Sequence, residues 1–563
     1  MQSTSSSKGK KPTSTRGLTA REGISCHNTA SATPFESTGT AGGHICAQAA
    51  TASNKRKLVG SHSNTASKRI RSSDSNASHI TNDQMQLATY ALEAMAVSTR
   101  HYTTGVFVDK FIVSLWYYDR TCVIRTVDFD FREEPGTLAL VFFAMSQCSS
   151  STAGFDPFLF HNPATPTPSA NGPVTNIIGS HFVFPPDGQI YTGKTSDNRF
   201  CVKSILSEYR GLIGRGTMVY RVSHLHKDRP DEDDRVLKLS WPLTIRTREA
   251  TILATLLETI PEWKDHLPEV HFSSTYTAER LRLPRFELLK SHSEKHKLED
   301  RDLHVLVMSL YQTMWEVDSV EEFQKIFVDC VECKKSVLPV SYTNNNMCIG
   351  HHHAYNTGRI LHRDLSENNL MFKRDADSKS AKGIVNDWDM ASHLDSVTGE
   401  VPTSTARHRT GTIPFMAIDL LSADPPVHLY RHDLESFFYI LVWAAIHFDI
   451  PSKKRLRTHP DLEEWDDDSL RKARKSKIAM ISWHSEATEL IFDNVREEFS
   501  GVLANWILPL WRLFNSAFNL RQEISFQDHA EPYDNETLGG RITFHTFMAT
   551  LKRTPPSRTM GLS

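Results

Sequence analysis

The stretch ILHRDLSENNLMF, Ile360–Phe372, decides how the rest of this chain is read. Its ends, Ile360-Leu361 and Leu370–Phe372, are apolar and strand-like. Between them a polar loop carries His362, Arg363, Asp364 and, five residues after the aspartate, Asn369. This is the H-R-D-x-x-x-x-N spacing, in which a carboxylate accepts the proton of an incoming hydroxyl. The amide, one short loop later, reaches a metal bound to the same phosphates. A random polar loop would rarely carry the string.

After the polar stretch KRDADSKSAK comes IVNDWDMAS, Ile384–Ser392, whose Asp387 lies eighteen residues beyond Asn369. Asp387 follows an apolar strand and precedes an aromatic residue, where a second metal ligand is needed. Upstream, LIGRGTMVYRVSH reads as two strands joined by a glycine turn, with Gly214 and Gly216 small enough for backbone N–H groups to approach phosphate oxygens. HKDRPDEDD reads as a polar connection, and RVLKLSW as a short strand bearing an isolated cation, Lys238. A buried lysine needs a partner, and Glu249 lies on the next amphipathic helix, followed by apolar Ile252 and Leu253. HVLVMSL adds one more apolar strand, and the pattern then turns helical from Val320 onward and again over Glu435–Phe448.

With these motifs in place the sequence resembles a eukaryotic protein kinase domain, most closely the fungal-type protein kinase family. The resemblance rests on HRDLSENN, on DWD, on TGTIPFMAIDLL at Thr410–Leu421 and on RHDLESFFYILVWAA at Arg431–Ala445. The third stretch stands in the place of the peptide-positioning segment that ends in A-P-E, and the fourth in that of the buried central helix. LWYYDRTCVIRTVDFDF looks like the extra amino-terminal region of that family, so similarity covers roughly residues 86–555. It implies an α+β, two-lobed protein-kinase-like fold. Lys238 and Glu249 would form the activating ion pair, with Asp364 as catalytic base beside Arg363. Asn369 and Asp387 would hold Mg²⁺, and Asp433 would brace the loop. ATP would lie near Gly214, Gly216 and the connection after Met308, and a protein hydroxyl, of serine or threonine, would be the acceptor.

The sequence departs from that pattern at four places. Val219 replaces a third glycine, Asp389 ends the metal motif, and AID at Ala417–Asp419 replaces A-P-E. Ser366 stands where Ser/Thr-directed kinases usually carry lysine. Asp419 keeps a carboxylate, so a shorter version of the usual ion pair to a later arginine is expected. Thr403, Ser404, Thr405 and Thr410 are candidate phosphorylation sites, with Arg363 as the cation that would order them. Two alternatives are carried forward, a catalytically impaired pseudokinase or scaffold and a small-molecule phosphotransferase. A third, a nuclear interaction protein acting through its amino-terminal tail, needs no catalysis.

The outer parts of the chain fix its organisation. Among 563 residues, 39% are hydrophobic and 23% charged, enough for two or three globular units. Residues 1–83 carry eleven Lys or Arg against four Asp or Glu, a net +7, which leaves −9 on the remainder of a chain whose total is −2. With 27 Ser or Thr and almost no aromatics, this segment is expected to be a disordered basic tail. Residues 84–195 are expected as an α+β extension, 196–312 as the kinase amino-terminal lobe, 313–555 as the carboxy-terminal lobe and 556–563 as a disordered end. Lys55, Arg56 and Lys57, followed by Lys68, Arg69 and Arg71, suit the two grooves of a nuclear import receptor. No interleaved aromatic offers a platform for specific nucleic-acid binding.

The longest strongly apolar stretch, Phe437–Phe448, is too short to cross a membrane. Eight cysteines without dense spacing suit a reducing, intracellular compartment, nuclear or cytoplasmic. Cys330, Cys333, Cys348 and His351 have a spacing compatible with zinc. The competing reading joins Cys333 to His351 as one amphipathic helix entering the catalytic loop. Lys334–Gly350 is then an inserted loop or a retained intron.

Overall fold

In a computed structural model the chain is described over residues 25–27, 81–97, 99–160, 177–190, 198–209, 211–226, 229–290, 298–331, 350–375, 380–395, 401–402, 410–483, 485–526 and 533–552. The architecture mixes helix and sheet, with a sheet-rich amino-terminal portion and a helix-rich remainder. It is compatible with the α+β class expected from the sequence. The Lys55–Arg71 clusters, Lys334 to Cys348 and Thr403–Thr405 lie outside the described residues.

One antiparallel sheet dominates the first portion. Its order is Leu159–Phe160, His181–Val183, Arg199–Glu208, Met218–His226, Arg229–Ser240, Leu303–Ser309, Val270–Tyr276 and Gln189–Ile190. The stretch read as a polar connection after His224 is largely strand, since pairing continues as Leu225↔Pro230 and His226↔Arg229. Cross-strand pairing there satisfies backbone groups that composition alone would have assigned to a loop. The line drawn between residues 195 and 196 falls inside this sheet, because strands from both sides of it pair with one another.

Strand alternation puts Leu237 and Leu239 into an aromatic-rich core with Phe182, Phe200, Tyr220 and Phe272, and sends Lys238 to the opposite face. That opposite face carries the helix Glu249–Thr259, whose buried stripe is Glu249, Ile252, Leu253 and Leu256.

The extension begins with helix Asn82–Val97 and a hairpin of Tyr102–Asp109 with Ile112–Asp119. Ser25–His27 pairs with Val123–Arg125 beside it, a contact that the tail's composition does not announce. A further helix, Pro135–Ser146, was not singled out by periodicity, because its residues are apolar on every side.

The extension is joined to the sheet portion by a buried ion pair. Asp119 accepts from Thr121 N and Cys122 N at 2.8 and 2.9 Å, which shapes its own turn. Its second oxygen accepts from Tyr117 Oη and from Arg285 Nη1, both at 2.7 Å.

The helical portion is built around Tyr430–His447, all eighteen residues of which are buried. Helix Val320–Val331, helix Leu508–Ser525 and helix Phe544–Leu551 contribute apolar side chains to the same core. The second half of Tyr430–His447, Phe437–Ile446, is apolar all round and has to be covered on all sides, while Arg431, Asp433 and Glu435 in its first half are buried against polar partners. The expected continuous helix into the catalytic loop is described as two pieces, Val320–Val331 and Gly350–Asn356.

Arg285 and Asp119 are each at most 4% exposed, so removing one partner strands a buried charge. Arg285→Met should therefore lower unfolding free energy by about 3–5 kcal/mol. In denaturant titration the added Asp119→Asn change should cost less than its effect alone.

Candidate active site

Lys238 is the hub of the cleft. Its ammonium donates to Glu249 Oε2 at 2.8 Å and to Asp387 Oδ1 at 2.6 Å, and lies 3.7 Å from Asp389 Oδ2. Glu249 also accepts the backbone N–H of Trp388 at 2.9 Å, so one carboxylate ties the strand, the helix and the Asp-Trp-Asp segment together. A second cation offsets part of the remaining negative charge: Arg215, from the glycine loop, donates to both oxygens of Asp389 at 2.9 and 3.1 Å. Burial disfavours the Lys238 charge, but Asp387, Asp389 and Glu249 outweigh it and hold the ammonium well above its ordinary pKa. Burial likewise pushes against ionisation of Asp389, and Arg215, Lys238 and Arg246 overcome it, keeping that carboxyl ionised.

The catalytic-loop motif is held at both ends. Ile360–Leu361 pairs with Ser392–His393. Asn369 Nδ2 donates to Asp364 O at 2.7 Å, closing the loop on itself. Arg363 and Asp387 both adopt positive φ, 71° and 60°, conformations that need support from their surroundings. Asp433 supplies part of it, accepting Arg363 N at 3.3 Å while His351 Nε2 and His428 Nε2 sit 3.0 and 2.7 Å from its oxygens. Burial opposes ionisation of Asp433, but these two imidazoles hold its pKa far below the usual range. Arg363 Nη1 donates to Ser392 Oγ at 2.6 Å, and the His362 ring meets Trp388 edge-on at 4.6 Å.

Asp364 is buried, and Thr412 Oγ1 donates to its Oδ1 at 2.9 Å. Burial raises its pKa to about 7; Arg215 opposes the rise, while Asp387 and Asp389 add to it. A carboxylate poised there suits a group that must take up a proton near neutral pH.

The glycine loop is shaped by the extension. Gly214 and Gly216 have φ of 124° and 50°, and Gly214 N donates to Arg120 O at 2.9 Å. A Cβ on Gly216 would fall 2.5 Å from Arg120 Nε, so glycine is required by the arginine beneath it as well as by any phosphate above. Val219 pairs with Lys238 within a strand and its φ is not positive, so the backbone makes no demand for a third glycine there. Met308 is buried near the end of its strand, just before the connection through Leu310 and Tyr311.

The Thr410–Leu421 segment is anchored by a substitute for A-P-E. Asp419 accepts from Arg431 Nη2 at 2.7 Å and from Arg521 Nη1 and Nη2 at 2.7 and 3.0 Å. Lys477, fully buried, donates to Ile413 O and Met416 O at 2.9 and 2.6 Å. Thr410 Oγ1 donates to Arg363 O at 3.3 Å, and Ser366 is buried.

Of the four residues read as zinc ligands, Cys333 and Cys348 lie outside the described residues. His351 is committed to Asp433, Cys330 Sγ points at Ile384 O at 3.8 Å, and no group of three ligands is brought together among the described residues.

Sequence reasoning brought forward Lys238, Glu249, Asp364, Asn369, Asp387 and Asp433, and all six line this region. It missed Arg215, Arg120, Thr412 and His428, and had His351 only as a candidate zinc ligand. Arg215 sits in plain view between the two glycines, and the unexplained Asp389 was the signal for it, since a buried extra carboxylate demands a cation.

The chain belongs to the fungal protein kinase family, whose sequence profile matches residues 46–341 and 345–445. That match begins well before the resemblance read from motifs and crosses most of Lys334–Gly350, skipping only residues 342–344. No curated protein matches the chain.

Arg431 and Asp419 are almost fully enclosed. Asp419→Asn should therefore cost about 3 kcal/mol of stability, read in denaturant titration, by leaving Arg431 without a counter-charge. Arg521→Met, which leaves Arg431 in place, should cost less.

Proposed function

We propose that the chain is a two-lobed protein kinase transferring the γ-phosphoryl group of ATP to a serine or threonine hydroxyl of a protein, with Mg²⁺. The observation that carries this is the convergence of Lys238, Glu249 and Asp387 within 2.8 Å contacts, on elements separated by up to 149 residues of chain. In this reading Lys238, held by Glu249, contacts the α and β phosphates. Arg215, already paired with Asp389, would add positive charge beside the remaining phosphates.

Asp387 and Asn369 fit a hard cation by their chemistry. One offers a carboxylate, its side chain 29% exposed to the cleft. The other uses its amide nitrogen on Asp364 O, which leaves the amide oxygen as the metal-facing end. Mg²⁺ bound there would neutralise the charge that spreads over the phosphoryl oxygens. Thr412 occupies one oxygen of Asp364 and so orients the carboxylate. The second oxygen would accept the proton of the substrate hydroxyl.

The anchored Thr410–Leu421 segment favours a peptide acceptor over a small molecule, which needs no such platform. Labelled ATP and Mg²⁺, offered with the chain and a generic basic protein, should give transfer. Asp364→Asn should lower the rate on the order of 100-fold or more, since a positioned base contributes at least that much. Chelating the metal should abolish transfer. Full activity in Asp364→Asn would sink the assignment, and a nucleotide-induced thermal shift without transfer would move it to a pseudokinase.

The Lys55–Arg71 clusters suggest entry to the nucleus through an import receptor. A fluorescent reporter fused to residues 50–75 should accumulate there; uniform distribution would end that reading.

A further inference from the structure

Arg120 sits in the turn between strands Ile112–Asp119 and Val123–Arg125 of the extension and is 3% exposed. Burial lowers its pKa to about 10, which still leaves the guanidinium charged at neutral pH. No carboxylate pairs with it among the described residues, since its neighbour Asp119 is committed to Arg285, to Tyr117 and to the N–H groups of the turn. Its Nε has no hydrogen-bond partner among them either. A buried cation without a counter-charge is destabilising, so packing alone does not account for it.

What this arginine does touch is the glycine loop. Its Nη1 donates to Gly211 O, and its backbone O accepts from Gly214 N at 2.9 Å. A Cβ on Gly216 would fall 2.5 Å from its Nε and 2.8 Å from its Cζ. Its Nη2 donates to Met95 O at 3.3 Å, so the same guanidinium ties helix Asn82–Val97 to the loop. Arg215, inside that loop, reaches Asp389 in the cleft. The loop is therefore held from the cleft by Arg215 and from the extension by Arg120.

We propose that, granted the kinase reading above, Arg120 is a positioning residue of the nucleotide site, through which the extension fixes the glycine loop for the phosphates of ATP. A loop held in place before the ligand arrives loses less freedom on binding, and that saving goes to the part of the ligand the loop holds. A triphosphate beside the loop also brings negative charge toward the unpaired guanidinium, which offsets part of the cost of its burial. Adenosine, which has no phosphate, draws on neither contribution.

The test is the affinity of the full chain for ATP with Mg²⁺ and, separately, for adenosine, by calorimetry, in the wild type, Arg120→Met and Arg120→Lys. Arg120→Met removes every side-chain donor at similar length, and should weaken ATP binding on the order of 10-fold or more, the loss of a hydrogen bond from a charged donor. Adenosine binding should be unchanged. Arg120→Lys keeps the charge but not the fork, and should recover part of the loss. In transfer assays the KM for ATP should rise while kcat changes little. Equal weakening of both ligands would mark a general disturbance of the fold and overturn the proposal, as would an unchanged ATP affinity. Should Arg120→Met fail to fold, Arg120→Lys carries the same comparison: a smaller loss confined to ATP is expected, and an unchanged ratio of the two affinities would overturn it. A wild type that binds neither ligand would overturn the kinase reading together with this one, whereas ATP binding on which Arg120 has no influence would overturn this one alone.

Discussion

Everything in the cleft depends on how a few buried charges are balanced. Lys238 stands among Glu249, Asp387 and Asp389. One cation cannot offset three carboxylates in a setting from which water is largely removed. Arg215 supplies the second positive charge. The four elements that contribute these groups are a strand, a helix, a glycine loop and the Asp-Trp-Asp segment, and none has its charge satisfied without the others. The departure from the kinase pattern at Asp389 is thus explained by the arginine at 215. The exposed part of Asp387 is where this balance stays open to a metal and phosphates.

A second balance lies beneath the first. Asp433, wholly buried in the central helix, is held ionised by His351 and His428 and spends part of its charge on Arg363 N. Arg363 keeps a strained φ there, next to the carboxylate that would do the chemistry. At the same end of that helix, Asp419 stands with a shorter side chain where the usual motif has glutamate. Two arginines reach in to it, Arg431 from the central helix and Arg521 from Leu508–Ser525. The Thr410–Leu421 segment therefore hangs on a three-residue charge cluster spread over 102 residues of chain.

What could be read from the sequence was local in nature. The catalytic loop, the lysine strand, the glutamate helix and the central helix each carry their signal within a dozen or so residues, through spacing and alternation. What could not be read depends on contacts distant in sequence. Arg120 meets the glycine loop only because the extension folds back over it. Thr412 reaches Asp364 only because the following segment docks on Lys477. The strand beginning at Arg229 was obscured for another reason: its first half is polar, and only pairing with Met218–His226 makes it a strand. The apolar helix Pro135–Ser146 defeats periodicity altogether, having no polar face to set a phase.

The large sheet borrows both of its borders from the extension. His181–Val183 lines Arg199–Glu208 on one side, and Gln189–Ile190 lines Val270–Tyr276 on the other, where Gly188 lets the chain lie flush on the Phe272 ring. Without those strands, the lysine-bearing sheet would present two rows of unpaired N–H and C=O groups, the template on which strands from separate molecules join. A ribosome delivers the border strands before most of the sheet they guard. A chain deprived of the extension would therefore leave both edges of its lysine-bearing sheet without those partners.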